Sequence, residues 1–193
     1  MLNYGVRMRP SFRPAAVALV LAAALSASGC TPDASGKPPA STPSATALFA
    51  SDEEALAAAE EAYRKYQHVS DSIYIDGGAD PERLLDVASQ SLYEAEKAGY
   101  DMAHSMGYFS TGGSTFDSLR LKERDSRGRI TVYLCEDVSS VDIRDTNNVS
   151  VVPSDRPDRF PLVVSFQTTD SSKTDLQVHS VDDWNQENFC LSK

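Results

Sequence analysis

The spacing of apolar residues in the middle of the chain predicts two amphipathic helices. The first is expected over residues 52–68, where apolar side chains recur every three or four positions and so share one helical face. Ser51 and Glu54 have the spacing of a capping box, in which the serine hydroxyl accepts the Glu54 amide and the glutamate reaches back. The helix is therefore expected to begin there. Its apolar face consists of Leu56, Ala59, Tyr63 and Tyr66.

The second helix is predicted to begin at Asp80 and to end near Gly99, with room for a further turn to Met106. Asp80 suits an N-cap, and Pro81 suits the first helical position, where its missing amide costs nothing. The stripe of residues that this helix is expected to bury consists of Leu84, Leu85, Ala88, Leu92 and Ala95.

After Gly112 and Gly113 the spacing changes from helical to alternating, which predicts strands. The clearest strand covers residues 130–135, where Ile, Val and Leu alternate with Thr, Tyr and Cys as in a half-buried strand. Weaker or shorter strand patterns occupy residues 116–123, 141–143, 149–152, 162–166 and 176–184. Helices followed by an antiparallel meander predict an α+β fold, with the N-terminal helices packed on one face of a curved sheet.

The N-terminal residues follow a different pattern. A basic stretch with three arginines and no acid precedes eleven consecutive apolar residues at 15–25. That length is typical of the core of a signal peptide and is too short to span a membrane. The segment ASGC at residues 27–30 then resembles the bacterial lipobox, although Ala27 stands where that family prefers leucine.

The lipobox resemblance implies that residues 1–29 are a lipoprotein signal peptide and that Cys30 carries a diacylglyceryl thioether. It implies a lipid-anchored protein on the extracytoplasmic face of a cell membrane, with the bilayer as a partner through Cys30. Two acyl chains would hold a small domain on a bilayer for a long time. The alternative is an ordinary secretory signal with an incidental cysteine.

Residues 30–50 are rich in Pro, Ser, Thr and Ala, which predicts a disordered, semi-stiff tether after the lipidated cysteine. Residues 51–193 are then expected to form one domain. The formal net charge of the chain is −10, and removal of the signal arginines makes the mature protein still more acidic. An acidic surface argues against nucleic acid as a partner.

Two cysteines remain after Cys30, and an even pair in an exported chain favours a Cys135–Cys190 disulfide. The alternatives are two buried free thiols or a metal site. A metal site is disfavoured because the two cysteines and three scattered histidines lack ligand spacing. No metal and no cofactor is predicted.

Three local features resemble the NTF2-like, or cystatin-cone, superfamily. They are the opening helix with Tyr63 and Tyr66, the strand ITVYLCEDVS at residues 130–139, and the closing segment DDWNQENFC with Trp184 on the last strand. A similar cysteine pair occurs in small exported lipoproteins of actinobacterial type. The resemblance covers residues 52–190 and implies a sheet curled into a cone, whose mouth hosts a pocket or a partner.

Pocket enzymes of this superfamily use a carboxylate or histidine base with a tyrosine or acid that stabilises an oxyanion. The residues that this resemblance suggests for a pocket are Tyr63, Tyr100, His104, Tyr133, Asp137 and Trp184. No spacing among them fixes a catalytic geometry. The simpler interpretations are a surface position for His104 at a helix end and a strand-end acid for Asp137.

Because no catalytic constellation is visible, the preferred function is a non-catalytic module that binds a small molecule or an envelope protein. One alternative is an isomerase- or cyclase-like enzyme that uses the cone pocket. Another is an accessory subunit of a cell-envelope complex.

Overall fold

The structure, a computed structural model, describes residues 48–169 and 175–190. All of them belong to the second of the two units into which the chain divides, Ala45–Lys193. The predicted signal peptide, Cys30 and most of the tether lie outside the described residues and stay predictions. Among the described residues, no helix combines the length and apolar composition that crossing a membrane requires.

Helices come first and strands follow. Helix α1 spans Asp52–Ile75, a short 3-10 helix spans Pro81–Asp86, and helix α2 spans Gln90–Met106. The strands are β1 (Phe109–Thr111), β2 (Thr115–Arg124), β3 (Ile130–Asp137), β4 (Asp142–Arg144), β5 (Arg159–Thr168) and β6 (Leu176–Asp183). A four-stranded antiparallel sheet has the order β2-β3-β5-β6, and β1 pairs with β4 separately. The predicted α+β fold, with helices on a curved antiparallel sheet, is confirmed.

Helix α1 begins where the sequence predicts and ends seven residues later than predicted. The Ser51 hydroxyl accepts the Glu54 amide at 3.2 Å, and the Glu54 carboxylate accepts the Ala50 amide at 2.7 Å rather than that of Ser51. The helix continues because Ile73 extends the inward face and is fully buried. It ends before Gly78, whose φ of 78° is one that glycine adopts without strain.

The predicted second helix is interrupted. Residues 87–89 leave the helical path and pair with β6: the Ser89 amide donates to the Val178 carbonyl at 2.8 Å, and the Val178 amide to the Val87 carbonyl at 3.0 Å. Ser89 then caps α2 by accepting the Leu92 amide at 3.3 Å. Asp80 is at the N-cap of the 3-10 helix and Pro81 follows it, as predicted, but Asp80 is left-handed and its side chain makes no capping hydrogen bond.

Because of this break, the buried face of α2 differs from the predicted one. Leu84, Ala88 and Leu92 are buried as expected, but Leu85 and Ala95 are exposed. The inward position that Ala95 was expected to fill is taken by Glu96, which is only 8% exposed. A carboxylate therefore enters the interior from α2.

Strand β3 is buried on both faces over much of its length, so the prediction of a half-buried strand is wrong. Ile130, Val132 and Leu134 join the core against the helices, while Thr131 and Cys135 on the other face are also buried. Around Cys135 the cause is the C-terminal segment, residues 184–190, whose Trp184 ring stacks on Tyr133 on the outer face of the sheet. It is joined to the sheet by the expected Cys135–Cys190 disulfide.

Three predicted boundaries differ from the structure. Residues 149–152 form only a single bridge, between Ser150 and Arg144, instead of a strand. Trp184 lies directly after β6 and not on it, although its amide still donates to the Pro161 carbonyl at 2.9 Å. Residues 48–50, assigned to the tether, belong to the domain: Phe49 is 3% exposed and part of the core. Burying an aromatic side chain at that position is more favourable in free energy than leaving it exposed to solvent in a tether.

Candidate functional site

The face of α1 that packs toward the sheet carries polar groups along its length. Side chains three, four and seven positions apart share one side of a helix. Here that side consists of Tyr63, Tyr66, Gln67, Ser70, Asp71 and Tyr74. Tyr63, Tyr66 and Gln67 are each at most 7% exposed. Because buried polar groups need hydrogen-bond partners, this face has to meet other polar side chains inside the domain.

The deepest of these partners is Glu96 of α2. Its carboxylate accepts hydrogen bonds from the hydroxyls of Tyr66 and Tyr100, the latter at 2.9 Å. The Tyr100 hydroxyl also lies 2.9 Å from the Ser70 hydroxyl. Burial, and then the Glu96 carboxylate, raise the pKa of Tyr100 above its ordinary value. Tyr100 therefore stays protonated and donates, and both oxygens of Glu96 are occupied.

A second carboxylate lies where the sheet meets the solvent. Glu136, near the end of β3, pairs across the sheet with Phe116 on β2 and with Phe160 on β5. Directly opposed residues of antiparallel strands point to the same face. All three side chains are half-buried. Tyr63 and Gln67 of α1 act on this carboxylate from the opposite side, and we call the five residues the mouth cluster.

The electrostatics of Glu136 are dominated by burial, which raises its pKa to about 7. The carboxylates of Asp71 and Glu96 contribute to this rise, whereas the Gln67 amide and the Tyr63 hydroxyl, 3.5 Å away, favour the ionised form. The charged groups with the largest effect on Glu136 are thus both acids. Near neutral pH both protonation states of this carboxyl are populated.

Gln67 is the one member of the mouth cluster with an unsatisfied polar group. It is 7% exposed, and its Nε2 makes no hydrogen bond within the described part of the chain. The amide influences Glu136 without reaching hydrogen-bond geometry. Asp71 is different, because it accepts the Ser114 amide at 2.8 Å and the Ser114 hydroxyl at 2.9 Å. The Gln67 amide of the mouth cluster can therefore still donate a hydrogen bond, whereas the neighbouring Asp71 carboxylate already accepts its hydrogen bonds from Ser114.

Of the six residues suggested for a pocket, the structure places two in the polar interior, in different clusters. Tyr63 lies in the mouth cluster and Tyr100 in the deeper Glu96 network. His104 is exposed on α2, which agrees with its simpler interpretation. Asp137 is a strand-end acid that accepts the Ser139 amide at 2.9 Å and lies 3.6 Å from Arg159.

Tyr133 and Trp184 are not pocket residues, because they lie on the outer face of the sheet. Successive residues of a strand point to opposite faces, so Tyr133 faces away from the helices when Val132 and Leu134 face toward them. The Tyr133 and Trp184 rings stack at 4.2 Å, and Phe189 meets Trp184 edge-on at 4.9 Å. These rings join the C-terminal segment to the sheet.

Sequence reasoning missed Gln67, Glu96, Phe116, Glu136 and Phe160. A signal was present for both glutamates. Glu136 follows the alternation of Ile130, Val132 and Leu134, so an acid continues the buried phase of a strand. Glu96 stands four residues after Leu92 and four before Tyr100, both of which are buried. Phe116 and Phe160 could not be identified from the sequence, because only the register of the strands places them beside Glu136.

One recess, of about 610 Å³, lies between the start of α1 and the end of β2. Two of its charged side chains, Arg124 and Asp52, pair with each other at 2.6 Å. It is therefore a weaker candidate than the mouth cluster. No group of three or more His, Cys, Asp or Glu side chains in the described residues is arranged to hold a metal ion.

Replacing Tyr100 by phenylalanine is expected to lower the free energy of unfolding by roughly 1–2 kcal/mol, because it removes a donor from the buried Glu96 carboxylate. Urea denaturation measures this effect. Tyr108→Phe is the matched control, since Tyr108 is half-buried and lies outside the Glu96 network. Equal losses in the two variants would contradict the structural role of the Tyr100 hydroxyl.

No protein-family model matches the chain, and no curated protein matches it. Two solved structures are similar at 15% identity. The intermembrane space region of the chloroplast protein ARC6 has a TM-score of 0.46 and covers 66% of this chain and 96% of its own. Aln2 from a Streptomyces species has a TM-score of 0.42 and covers 70% of this chain and 93% of its own. Similarity at this level carries no conclusion about function.

Proposed function

We propose that this protein is a lipid-anchored, extracytoplasmic binding module whose mouth cluster holds a small molecule. One observation carries the proposal: the buried Nε2 of Gln67 makes no hydrogen bond with any residue that the structure describes, and it lies beside the half-buried carboxyl of Glu136. An unsatisfied buried donor costs about 1–3 kcal/mol, which a ligand with a suitable acceptor would recover.

The exposure of the mouth cluster supports this proposal. Phe116, Glu136 and Phe160 are only half-buried, so a ligand can reach them from solvent. Apolar walls with a few convergent polar groups are typical of small-molecule sites. A single water could also satisfy Gln67, so the experiment has to distinguish water from a ligand.

Acid–base catalysis is the second candidate, and a specific observation favours it. Glu136 has a pKa of about 7 and lies 3.5 Å from the Tyr63 hydroxyl. A carboxyl tuned toward the working pH, beside a hydroxyl donor, is what proton transfer to and from carbon requires. The same ligand site would then be an isomerase- or cyclase-like active site, and the bound molecule would be converted.

The anchor is a separate part of the proposal. It rests on the apolar run at 15–25 and on the lipobox-like residues that end at Cys30. Cys30→Ala is expected to abolish lipidation and to release the protein from the membrane fraction. A variant that stays lipidated and membrane-bound would show that the anchor assignment is wrong.

The ligand is tested by native mass spectrometry of the full chain, purified in detergent from its own host. We expect a co-purifying small molecule that is lost in Glu136→Gln. Asp137→Asn is the matched control, because Asp137 is the next residue and faces the other side of the sheet. A wild-type protein without bound molecule would contradict the proposal, and conversion of the recovered molecule by fresh protein would favour the enzyme.

A further inference from the structure

We propose that the mouth cluster binds a small organic cation that also carries a hydroxyl or carbonyl oxygen. This inference rests on the proposed function and names the ligand class of the same site. Three features of the site carry it: the acidic groups around Glu136, its aromatic flanks and the amide of Gln67, which makes no hydrogen bond among the described residues.

The first feature is the charge around Glu136. The two charged groups with the largest effect on it, Asp71 and Glu96, are both acids. The arginines on neighbouring elements pair with other acids, and His68 acts on Asp71. Arg64 on α1 pairs with Glu60 at 2.5 Å, and Arg159 on β5 pairs with Asp117 at 2.8 Å on the outer face. A cationic ligand would supply the missing positive charge, whereas an anion would be repelled.

The second feature is the pair of phenyl rings on either side of the Glu136 carboxyl. Phe116 and Phe160 are its cross-strand neighbours, and Tyr63 meets the Phe116 ring edge-on at 4.9 Å. Ring faces attract alkylammonium groups, and the Arg64 guanidinium already lies 5.6 Å from the centre of the Phe116 ring. Phenyl rings offer no ligand atom to a metal. The flanks therefore select an organic cation.

The third feature indicates that the ligand also carries a hydrogen-bond acceptor. Gln67 is more than nine-tenths buried and acts on Glu136, and its Nε2 makes no hydrogen bond within residues 48–169 and 175–190. A hydroxyl or carbonyl oxygen a few bonds from the ligand's nitrogen would accept this hydrogen bond while the ammonium lies at Glu136. Amino alcohols and amino-acid esters combine the two groups at that separation.

The experiment uses two probes of nearly equal shape, choline and its neutral carbon analogue, in which a tert-butyl group replaces the trimethylammonium. Each is titrated into the full chain in detergent, and binding is measured by calorimetry at about pH 8. We expect choline to bind at least about tenfold more tightly than the analogue, because desolvated cation–π contacts and the carboxylate act only on the charge. The preference should weaken as the pH falls below about 7 and Glu136 takes up a proton.

Three variants assign the effect to the mouth cluster. Glu136→Gln should abolish the preference for choline, and Asp137→Asn should retain it. Gln67→Leu should weaken the binding of both probes, since both carry the hydroxyl that would accept a hydrogen bond from Nε2. Circular dichroism of each variant checks that it is folded.

The outcomes separate this inference from the proposed function. Equal binding of the two probes would overturn the cation inference and leave a small-molecule site in place. A choline preference that survives Glu136→Gln would overturn it too, because the charge would act elsewhere. If neither probe binds, the cation inference is wrong, and the co-purification experiment decides the proposed function independently.

Discussion

Replacing Cys135 and Cys190 together by alanine is expected to cost about 4 kcal/mol of the free energy of unfolding. The bond joins residues 55 positions apart, and in the chain-entropy model a cross-link of that span removes about this much conformational entropy from the unfolded chain. Both sulfur atoms are also buried, so alanine leaves unfilled space against β3. Urea denaturation measures the loss.

The same variant should loosen the C-terminal segment, and the single tryptophan reports on it. Trp184 is the only tryptophan in the chain and stacks on Tyr133, so its fluorescence should shift to the red as it becomes solvated. Cys30→Ala is the matched control, since it removes a cysteine outside this disulfide. A loss below about 1 kcal/mol with unchanged Trp184 fluorescence would contradict the stabilising role of the disulfide.

Replacing Glu136 by glutamine is expected to stabilise the protein above neutral pH. The folded-state pKa of Glu136, about 7, is raised from an ordinary value of 4.5. Its contribution to stability is therefore fully present below the ordinary value and is lost as the pH rises through about 7. With some allowance for its partial exposure, the wild type should lose roughly 2–3 kcal/mol between about pH 4.5 and pH 8, and Glu136→Gln should not.

Asp137→Asn provides a control of opposite sign. Hydrogen bonds from Ser139 lower the pKa of Asp137, so its contribution is present above the ordinary value and is lost as the pH falls through the folded value. Asp137→Asn should therefore change only the acid side of the stability profile. Urea denaturation across this pH range distinguishes the two, and a parallel alkaline decline in Glu136→Gln and the wild type would contradict the account of Glu136.

The elements that the sequence predicted well are those whose cause is local. Helix α1 begins at Ser51 because a hydroxyl and a glutamate three residues later cap it, whatever the rest of the chain does. Strand β3 forms where the sequence alternates between the apolar residues Ile, Val and Leu and the residues Thr, Tyr and Cys. The break before α2 was missed because the edge of β6, about 90 residues later, binds Val87 and Ser89 and removes them from the helix.

Burial was harder to predict than secondary structure. Alternation along β3 correctly assigned the two faces of the sheet, but not what covers the outer one. The C-terminal segment covers it around Tyr133 and Cys135, and nothing near those residues in sequence indicates that. This coverage also explains why Tyr133 and Trp184, candidates for a pocket, are structural contacts instead.

The order of helices before strands, the α+β class and the expected pairing of Cys135 with Cys190 could all be predicted from the chain alone. Spacing, capping residues and the count of cysteines are sufficient for these features. The site could not be predicted in this way, because the mouth cluster draws on α1, β2, β3 and β5, which meet only in the folded protein. The pKa of Glu136 and the unpartnered amide of Gln67 depend on what packs around them, and that is a property of the folded chain.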